Sequence, residues 1–332
     1  MWKTTGCAVI GRGHEKEGLP CQDQVAFAAG GGIAAAVLAD GAGSAKMAEE
    51  GAICAAKIAA NYLVAHFHEI LADDDATAVK EQLLATLKHA LQERAEELDC
   101  ALRDLASTLL AVAADDEQLL IVHLGDGVIG YLKEGELRVV SAPDNGEFAN
   151  VTTFVTSPDA LVKLRIYRGG VENVEGIVLM SDGTEQSFYQ KQQRRLMPRL
   201  VHVMREAALV DNRVFVPQLV DAMTTVVTAR TQDDCSIALL VRAIDEENPL
   251  AGKDDAARME AFGIVADAPC ARRRLRLCDE IYGYLAKPRT ERAICRRFHI
   301  RFGAKKKLAR LLAKGYIVKN GDIYQRACAA RE

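Results

Sequence analysis

Short apolar runs, most of them rich in Val, Ile, Leu and Ala, recur through the first 243 residues and are interrupted by two long stretches of helical periodicity. Runs of this length bounded by Gly, Asp or Pro predict strands over 7–10, 24–29, 33–39, 108–114, 118–124, 128–132, 137–141, 151–155, 176–180 and 236–242. Ala48, Ala52, Ala55, Ala59 and Leu63 share one face of a helix expected from an N-cap at Ser44 to Phe67, and residues this small let it lie close to a sheet. A second helix is expected over 77–105, with Val79, Leu83, Leu87, Ala90, Leu98, Leu102 and Leu105 on its apolar side. A parallel α/β sheet would show a helix after nearly every strand. Many strands with helices inserted in pairs predict instead a layered α+β sandwich.

The pattern changes character near the carboxyl end. Residues 271–332 hold 18 Lys and Arg against 5 Asp and Glu, a balance of +13, which leaves −17 for residues 1–270. Such asymmetry implies two modules with different partners. The chain is therefore expected to comprise an acidic domain over 1–243, a polar, Pro-punctuated linker over 244–270 with room for one short helix, and a basic domain over 271–332. Within the basic domain the periodicity predicts helices over 275–285, 290–298 and 303–314. Strands over 316–319 and 323–326 follow around Asn320-Gly321, a strong hairpin signal. Three helices and a hairpin in that order resemble a winged helix. Its third helix carries Lys305, Lys306, Lys307, Arg310 and Lys314. These cations suit phosphate contacts on nucleic acid, and equally a protein partner or the acidic domain itself.

Composition narrows the class. With 49% apolar and 27% charged residues and a formal charge of −4, the 332-residue chain is not disordered, collagenous or a coiled-coil array. No apolar run approaches the roughly 18 residues that suggest a bilayer span, and the amino terminus lacks a basic flank followed by an apolar signal core. Nine cysteines without a paired C-x-x-C spacing argue against a disulfide framework or zinc knuckle, so a cytoplasmic protein with free thiols is expected. Cys270 and Cys295 each precede an Arg by six positions, Arg276 and Arg301, as in thiolate phosphatases. The bulky residues between them leave no small, Gly-rich loop to wrap a phosphate, so neither pair is read as a site.

Chemistry concentrates on aspartate. Three apolar strands end near an Asp-Gly dipeptide, at Asp40-Gly41, Asp126-Gly127 and Asp182-Gly183, and a fourth is preceded by Asp233-Asp234. Any one of these reads as a tight turn. Together they place several carboxylates at strand ends on one shared edge, the oxygen-only donor set that hard divalent cations such as Mg2+ and Mn2+ prefer.

In this arrangement residues 4–243 resemble the type 2C metal-dependent serine/threonine protein phosphatases, bacterial branch, through blocks in the family's order. Gln22-Asp23 stands for the acidic pair near the amino terminus, and Val37-Leu38-Ala39-Asp40-Gly41 with Gly43 for the first metal loop. Ala106-Ser107-Thr108 stands for Gly-Ser-Thr, Gly125-Asp126-Gly127 for Gly-Asp-Ser, Ser181-Asp182-Gly183 for Ser-Asp-Gly, and Asp233-Asp234-Cys235-Ser236 for Asp-Asn-x-Thr. The resemblance implies a four-layer α-β-β-α sandwich with two cations, Mn2+ or Mg2+, at one end and a bridging water that attacks phosphorus in line. It also implies roles. Asp40 would bridge both ions with the Gly41 carbonyl completing one shell, Asp182 and Asp233 would hold the other ion, Asp23 would contribute directly or through water, and Asp126 would help hold a third.

Two departures from the family pattern stand out. The phosphate-binding Arg of many members would fall at Gly18, leaving Arg12 and His14 as candidates for that task. The His that follows the first Asp-Gly in many eukaryotic members is here Ala42. Elsewhere, His66, His68 and His89 read as exposed helical residues, and His123 as a core histidine or a neighbour of the site. Residues 141–170 correspond to the family's variable flap. The implied activity is hydrolysis of phosphoserine and phosphothreonine in proteins, with a serine/threonine kinase as counterpart and the basic domain as a docking or targeting element. The alternative is a non-catalytic phosphatase-like sensor coupled to a nucleic-acid-binding winged helix.

Overall fold

The computed structural model describes residues 1–143, 152–243, 250, 253–268, 270–285, 289–298, 304–313, 316–320 and 322–326. The chain forms two compact units, Met1–Ala243 and Ile244–Glu332.

The first unit runs β1 (Trp2–Val9), α1 (Arg12–Glu17), β2 (Asp23–Gly30), β3 (Ile33–Asp40), α2 (Ala48–Ala65), α3 (Phe67–Ala72), α4 (Ala76–Glu97), β4 (Leu109–Ala114) and β5 (Gln118–Leu124). It continues through β6 (Val128–Lys133), β7 (Glu136–Ser141), α5 (Ala160–Lys163), β8 (Arg165–Gly170), β9 (Val174–Met180) and α6 (Asp182–Phe188). The two-residue strands β10 (Tyr189–Gln190) and β11 (Arg195–Leu196) precede α7 (Arg199–Leu209), α8 (Asn212–Ala222) and β12 (Cys235–Arg242). Two five-stranded sheets, ordered β1-β12-β9-β6-β7 and β2-β3-β4-β5-β8, are antiparallel throughout.

Strand periodicity explains why the central strands read as unbroken apolar runs. Ala34, Ala36 and Leu38 of β3 face the other sheet, while Ala35, Val37 and Ala39 face α2 and α4. In β4, Leu110 and Val112 turn to the sheet interface and Leu109, Ala111 and Ala113 to the helices. Both faces are buried, so both must be apolar. The alanines of α2 (Ala52, Ala56, Ala59, Ala60) pack on the second sheet, and α7 and α8 cover β12 and β1 of the first. The result is the α-β-β-α sandwich expected from the family blocks.

Several boundaries differ from the sequence expectation. The first long helix begins at Ala48, not Ser44, because residues 44–47 turn tightly and the Met47 N–H is taken by the Asp104 carbonyl at 2.9 Å. The second is N-capped by Asp75, whose carboxylate accepts from the Thr77 and Ala78 N–H groups, and ends at Glu97. Asp99 then adopts a left-handed conformation, φ 51°, that stops the helix before the turn Leu102–Leu105. Of the expected strand 151–155, residue 151 lies outside the described residues and 152–155 form a loop. Its backbone and side chains bond to Ser107, Ser157 and Asp126 rather than to a strand. The strand that does close this sheet is β8, paired with β5. The apolar pattern does not reveal it, because its Arg and Gly residues on a half-exposed edge carry no alternation.

The second unit contains α9 (Asp255–Phe262), α10 (Ala271–Tyr284), β13 (Arg289–Thr290), α11 (Glu291–Arg297), α12 (Ala304–Ala313), β14 (Ile317–Asn320) and β15 (Ile323–Arg326), with a sheet ordered β13-β15-β14. Met259 and Phe262 of α9 join Leu275, Ile281, Tyr282, Ile294, Leu308, Leu311 and Tyr324 in one core. Part of the segment expected to be a linker is thus built into this unit.

Candidate metal and phosphate site

Antiparallel register brings the first two carboxylates together. Asp23 opens β2 and Asp40 closes β3, and the two are direct partners across the sheet. Asp40 is fixed from the next strand, since its N–H donates to Thr108 Oγ1 at 3.0 Å and its carbonyl accepts from the Thr108 N–H at 2.8 Å. This gives the Ala106-Ser107-Thr108 block a structural task.

The other sheet supplies Asp182 and Asp233. Strands β9 and β12 are neighbours, with Met180 opposite Ile237, so Asp182 at the start of α6 and Asp233 ahead of β12 lie at adjoining ends. Two glycines permit the close approach. A Cβ on Gly183 would fall 2.1 Å from the Asp234 carbonyl oxygen, and one on Gly127 would fall 2.5 Å from that of Met180. Gly127 thereby holds the β5–β6 crossover, and Asp126 with it, against the end of β9. The Thr152 hydroxyl donates to Asp126 Oδ2 at 2.5 Å.

The charges register one another. Burial first, then the carboxylates of Asp23, Asp182, Asp126 and Asp233, hold the Asp40 carboxyl well above the usual range. Burial likewise pushes Asp23 up to about 7, with Asp234 and Asp182 adding and the Ser236 and Ser181 hydroxyls opposing. Asp182 rises to about 6 through burial and then Asp233 and Asp126. Burial raises Asp233 too, against the Asp234 backbone N–H. Such carboxylates have little compensating positive charge, and Asp23 Oδ2 and Asp182 Oδ1 are buried with no hydrogen-bond partner. Among the described residues no three His, Cys, Asp or Glu side chains already close into a cation cage. The donor set is nevertheless oxygen-only, crowded and short of hydrogen-bond partners, which fits Mg2+ or Mn2+ and does not fit a softer metal.

Asp233 and Asp234 are separated in role by their surroundings. Asp234 is 2% exposed, and its Oδ1 and Oδ2 accept from the Gly11 and Gln22 N–H groups at 2.6 Å each. It therefore ties both ends of the amino-terminal loop to the start of β12. His14 Nδ1 sits 2.9 Å from the same carboxylate, and Arg12 donates through Nε and Nη2 to the Thr231 carbonyl. Both candidates for the phosphate-binding task are thus engaged with the 231–234 loop. His123 is fully buried, with Nδ1 2.6 Å from Ser141 Oγ and Nε2 3.2 Å from the Gly125 carbonyl, and burial pushes its pKa down to about 3. It packs in the core and braces the loop that carries Asp126.

Two residues beside the cluster escape the sequence pattern. Glu185, one turn along α6 from Asp182, is 1% exposed, and Lys191 Nζ lies 2.6 Å from its Oε2. A charged residue two positions after Ser-Asp-Gly is the one signal that could have found them. In the second unit, the side chains of Lys305, Lys306 and Lys307 lie outside the described residues, and Arg310 Nη1 donates to the Gly263 carbonyl that ends α9.

Comparison with known proteins bears out the family resemblance. The family described as "Protein phosphatase 2C" matches residues 10–223. Over 174 residues the chain is 31% identical to serine/threonine-protein phosphatase 3 of Escherichia coli (strain K12), a match covering 50% of this chain and 67% of that protein. A crystal structure of a bacterial serine phosphatase superposes with TM-score 0.52 at 14% identity, covering 74% of this chain and 100% of that one. At that identity the likeness speaks for the fold alone.

Proposed function

The chain belongs to the protein phosphatase 2C family and is a protein serine/threonine phosphatase of this metal-dependent group; on that premise we propose that its acidic end holds Mn2+ or Mg2+, two ions in the core and a weaker third at Asp126. Asp40 would bridge the pair, the Gly41 carbonyl would complete one shell, Asp182 and Asp233 would hold the second ion, and Asp23 would add a direct or water-mediated contact. The observation that carries this reading is the β2–β3 register that sets Asp23 across from Asp40, within the field of the Asp182 and Asp233 carboxylates.

Bound cations supply positive charge to the phosphoryl oxygens and acidify the attacking water. The chain's part is placement. Thr108 anchors Asp40, the first turn of α6 carries Asp182, and the Thr231 hydroxyl accepts from the Asp233 N–H at 3.1 Å. Asp234 closes the amino-terminal loop against the site. The Cys7, Cys21 and Cys235 thiols are poor nucleophiles, because burial pushes Cys7 and Cys235 up to about 12 and raises Cys21 as well. Purified protein should hydrolyse a phosphothreonine peptide and an aryl phosphate only with Mn2+ or Mg2+ present. Chelator should abolish both activities and thiol alkylation should spare most of them. Turnover surviving exhaustive chelation would sink the proposal.

Phosphoproteins are the substrates, and a serine/threonine kinase acting on the same proteins is the natural counterpart. No helix among the described residues is long and apolar enough to cross a membrane. With nine thiols and no paired spacing, we place the protein in the cytoplasm.

We propose the second unit as a winged-helix-like docking or targeting module. Nucleic acid is its candidate ligand through Lys305, Lys306, Lys307 and Arg310. Because α9 belongs to its core, the fragment to test is 244–332. Its charge should give salt-sensitive binding to duplex DNA near the 10⁻⁴ to 10⁻⁶ M typical of non-specific contacts, roughly. The full chain should bind more weakly, since the acidic unit competes at high effective concentration. Changing the three lysines to Glu should remove binding. No shift in a gel at low salt would leave protein docking as the module's role.

A further inference from the structure

We propose that Lys191 receives the phosphoryl group of the substrate, with the buried carboxylate of Glu185 as its positioning residue. The inference deepens the phosphatase reading of the same site and rests on it. A phosphate monoester arriving among five carboxylates needs a cationic side chain to orient it, and the position expected to provide one is Gly18. That glycine ends α1 at φ +69° with nothing within 4 Å of where its Cβ would be, and it carries no side chain to do so. Arg12 is turned to the Thr231 carbonyl and His14 to Asp234.

Lys191 is differently placed. Its ammonium is 2.6 Å from Glu185 Oε2, and while the Glu185 side chain is 1% exposed, that of Lys191 is 67% exposed. The carboxylate lies beneath and the ammonium at the surface. Glu185 is three residues from Asp182 on α6, which puts the pair on the same face as a proposed cation ligand, one turn away. Asp182 and Asp126 both add to the rise in the Lys191 pKa that Glu185 begins, so the ammonium stands within the field of the cluster. An ammonium has three N–H donors. The ion pair uses one, and two remain for phosphoryl oxygens.

Stability alone does not account for this pair. Neither Glu185 oxygen has a hydrogen bond beyond the contact with Lys191, and burial raises its pKa. A buried carboxylate served only by a solvent-exposed lysine is a poor stabilising device, since exposed ion pairs contribute little and buried charges cost much. As a mount for a substrate-facing ammonium it is economical: the carboxylate fixes where the head group sits, and the dianion replaces solvent on the other side.

The test is steady-state kinetics on the full chain at saturating Mn2+, with a phosphothreonine peptide as substrate and inorganic phosphate as inhibitor, together with phosphate binding by calorimetry. Lys191→Met should raise KM and the phosphate inhibition constant in parallel, by about 5- to 30-fold, the range of one charge-assisted hydrogen bond at a partly exposed position. The Mn2+ midpoint should move less than about twofold. Lys191→Arg should recover most of the loss, and Glu185→Gln should raise KM by less than Lys191→Met does. If Lys191→Met binds phosphate as tightly as the native chain, or moves the Mn2+ midpoint in place of KM, the proposal is overturned. A native chain that binds phosphate but turns over no phosphopeptide would count against the phosphatase reading, and the calorimetric comparison of Lys191→Met would still decide the role of Lys191.

Discussion

Asp40→Asn should lower turnover by on the order of 10³-fold or more, and Asp182→Asn should do the same. Each substitution keeps the shape and removes one negative charge from the proposed cation site, where several kcal/mol of transition-state stabilisation are held at about 1.36 kcal/mol per factor of ten. Asp126→Asn should reduce turnover and leave the two-ion core filled, because Asp126 sits on the β5–β6 crossover rather than on the β2–β3 pair. The same three variants should be no less stable than the native chain in chelator, since each relieves repulsion that raises Asp40 and Asp182. Loss of activity with retained stability separates a ligand from a scaffold residue. Asp234→Asn is the contrast, for its oxygens accept the Gly11 and Gln22 N–H groups and its loss should lower the melting temperature. Calorimetric titration with Mn2+ checks the ranking. An Asp40→Asn protein that binds two ions as tightly as the native chain would refute it.

In excess chelator, the protein should melt at a lower temperature as pH rises from about 4 to about 7, and change little above. Asp23 titrates near 7 and Asp182 near 6 in the folded chain, against an ordinary 3.8 when unfolded. Between these values the folded state holds protons that the unfolded state has released. Stability therefore falls with pH through that window, and it is greatest below the unfolded pKa. A carboxyl that titrates one pH unit higher in the folded chain than in the unfolded one changes stability by about 1.36 kcal/mol. Even part of what the two groups contribute together amounts to about 2 to 4 kcal/mol, or roughly 5 to 15 °C in a unit of this size. Saturating Mn2+ should reverse the trend, because cations compete with protons for the same oxygens and win as pH rises. A melting temperature that is flat from pH 4 to 8 in chelator would mean these carboxylates are not forced together in the folded protein.

Much of the catalytic unit was legible in the sequence because its signals are local. A strand buried on both faces must be apolar at every position, so 33–39 and 109–114 announce themselves as central strands before any partner is known. The Asp-Gly pairs mark strand ends for the same kind of reason, since chain reversal and a carboxylate at the turn are properties of adjacent residues. Where a signal depends on a distant partner, local reading failed. Strand β8 is an edge strand of Arg and Gly whose identity comes from β5, and 152–155 is a loop because Ser107 and Asp126 claim its hydrogen bonds.

At the site the division follows the same line. Sequence alone determined which residue types were present: five aspartates at strand ends, no cysteine in a small-residue phosphate loop, and glycine where a phosphate-binding arginine was expected. Tertiary structure decided which of them meet. The β2–β3 register sets Asp23 against Asp40, two close glycine contacts bring Asp126 and Asp182 to the same end, and the amino-terminal loop makes Asp234 a strut while leaving its neighbour Asp233 to the cluster. The Lys191–Glu185 pair belongs to that second category, for nothing in the residues between them says that the carboxylate is buried and the ammonium is not. The physical reason is common to all of these: spacing along the chain dictates backbone conformation and facing, whereas burial, charge coupling and hydrogen-bond partnership depend on which segments the pairing of strands and the packing of the two sheets bring together.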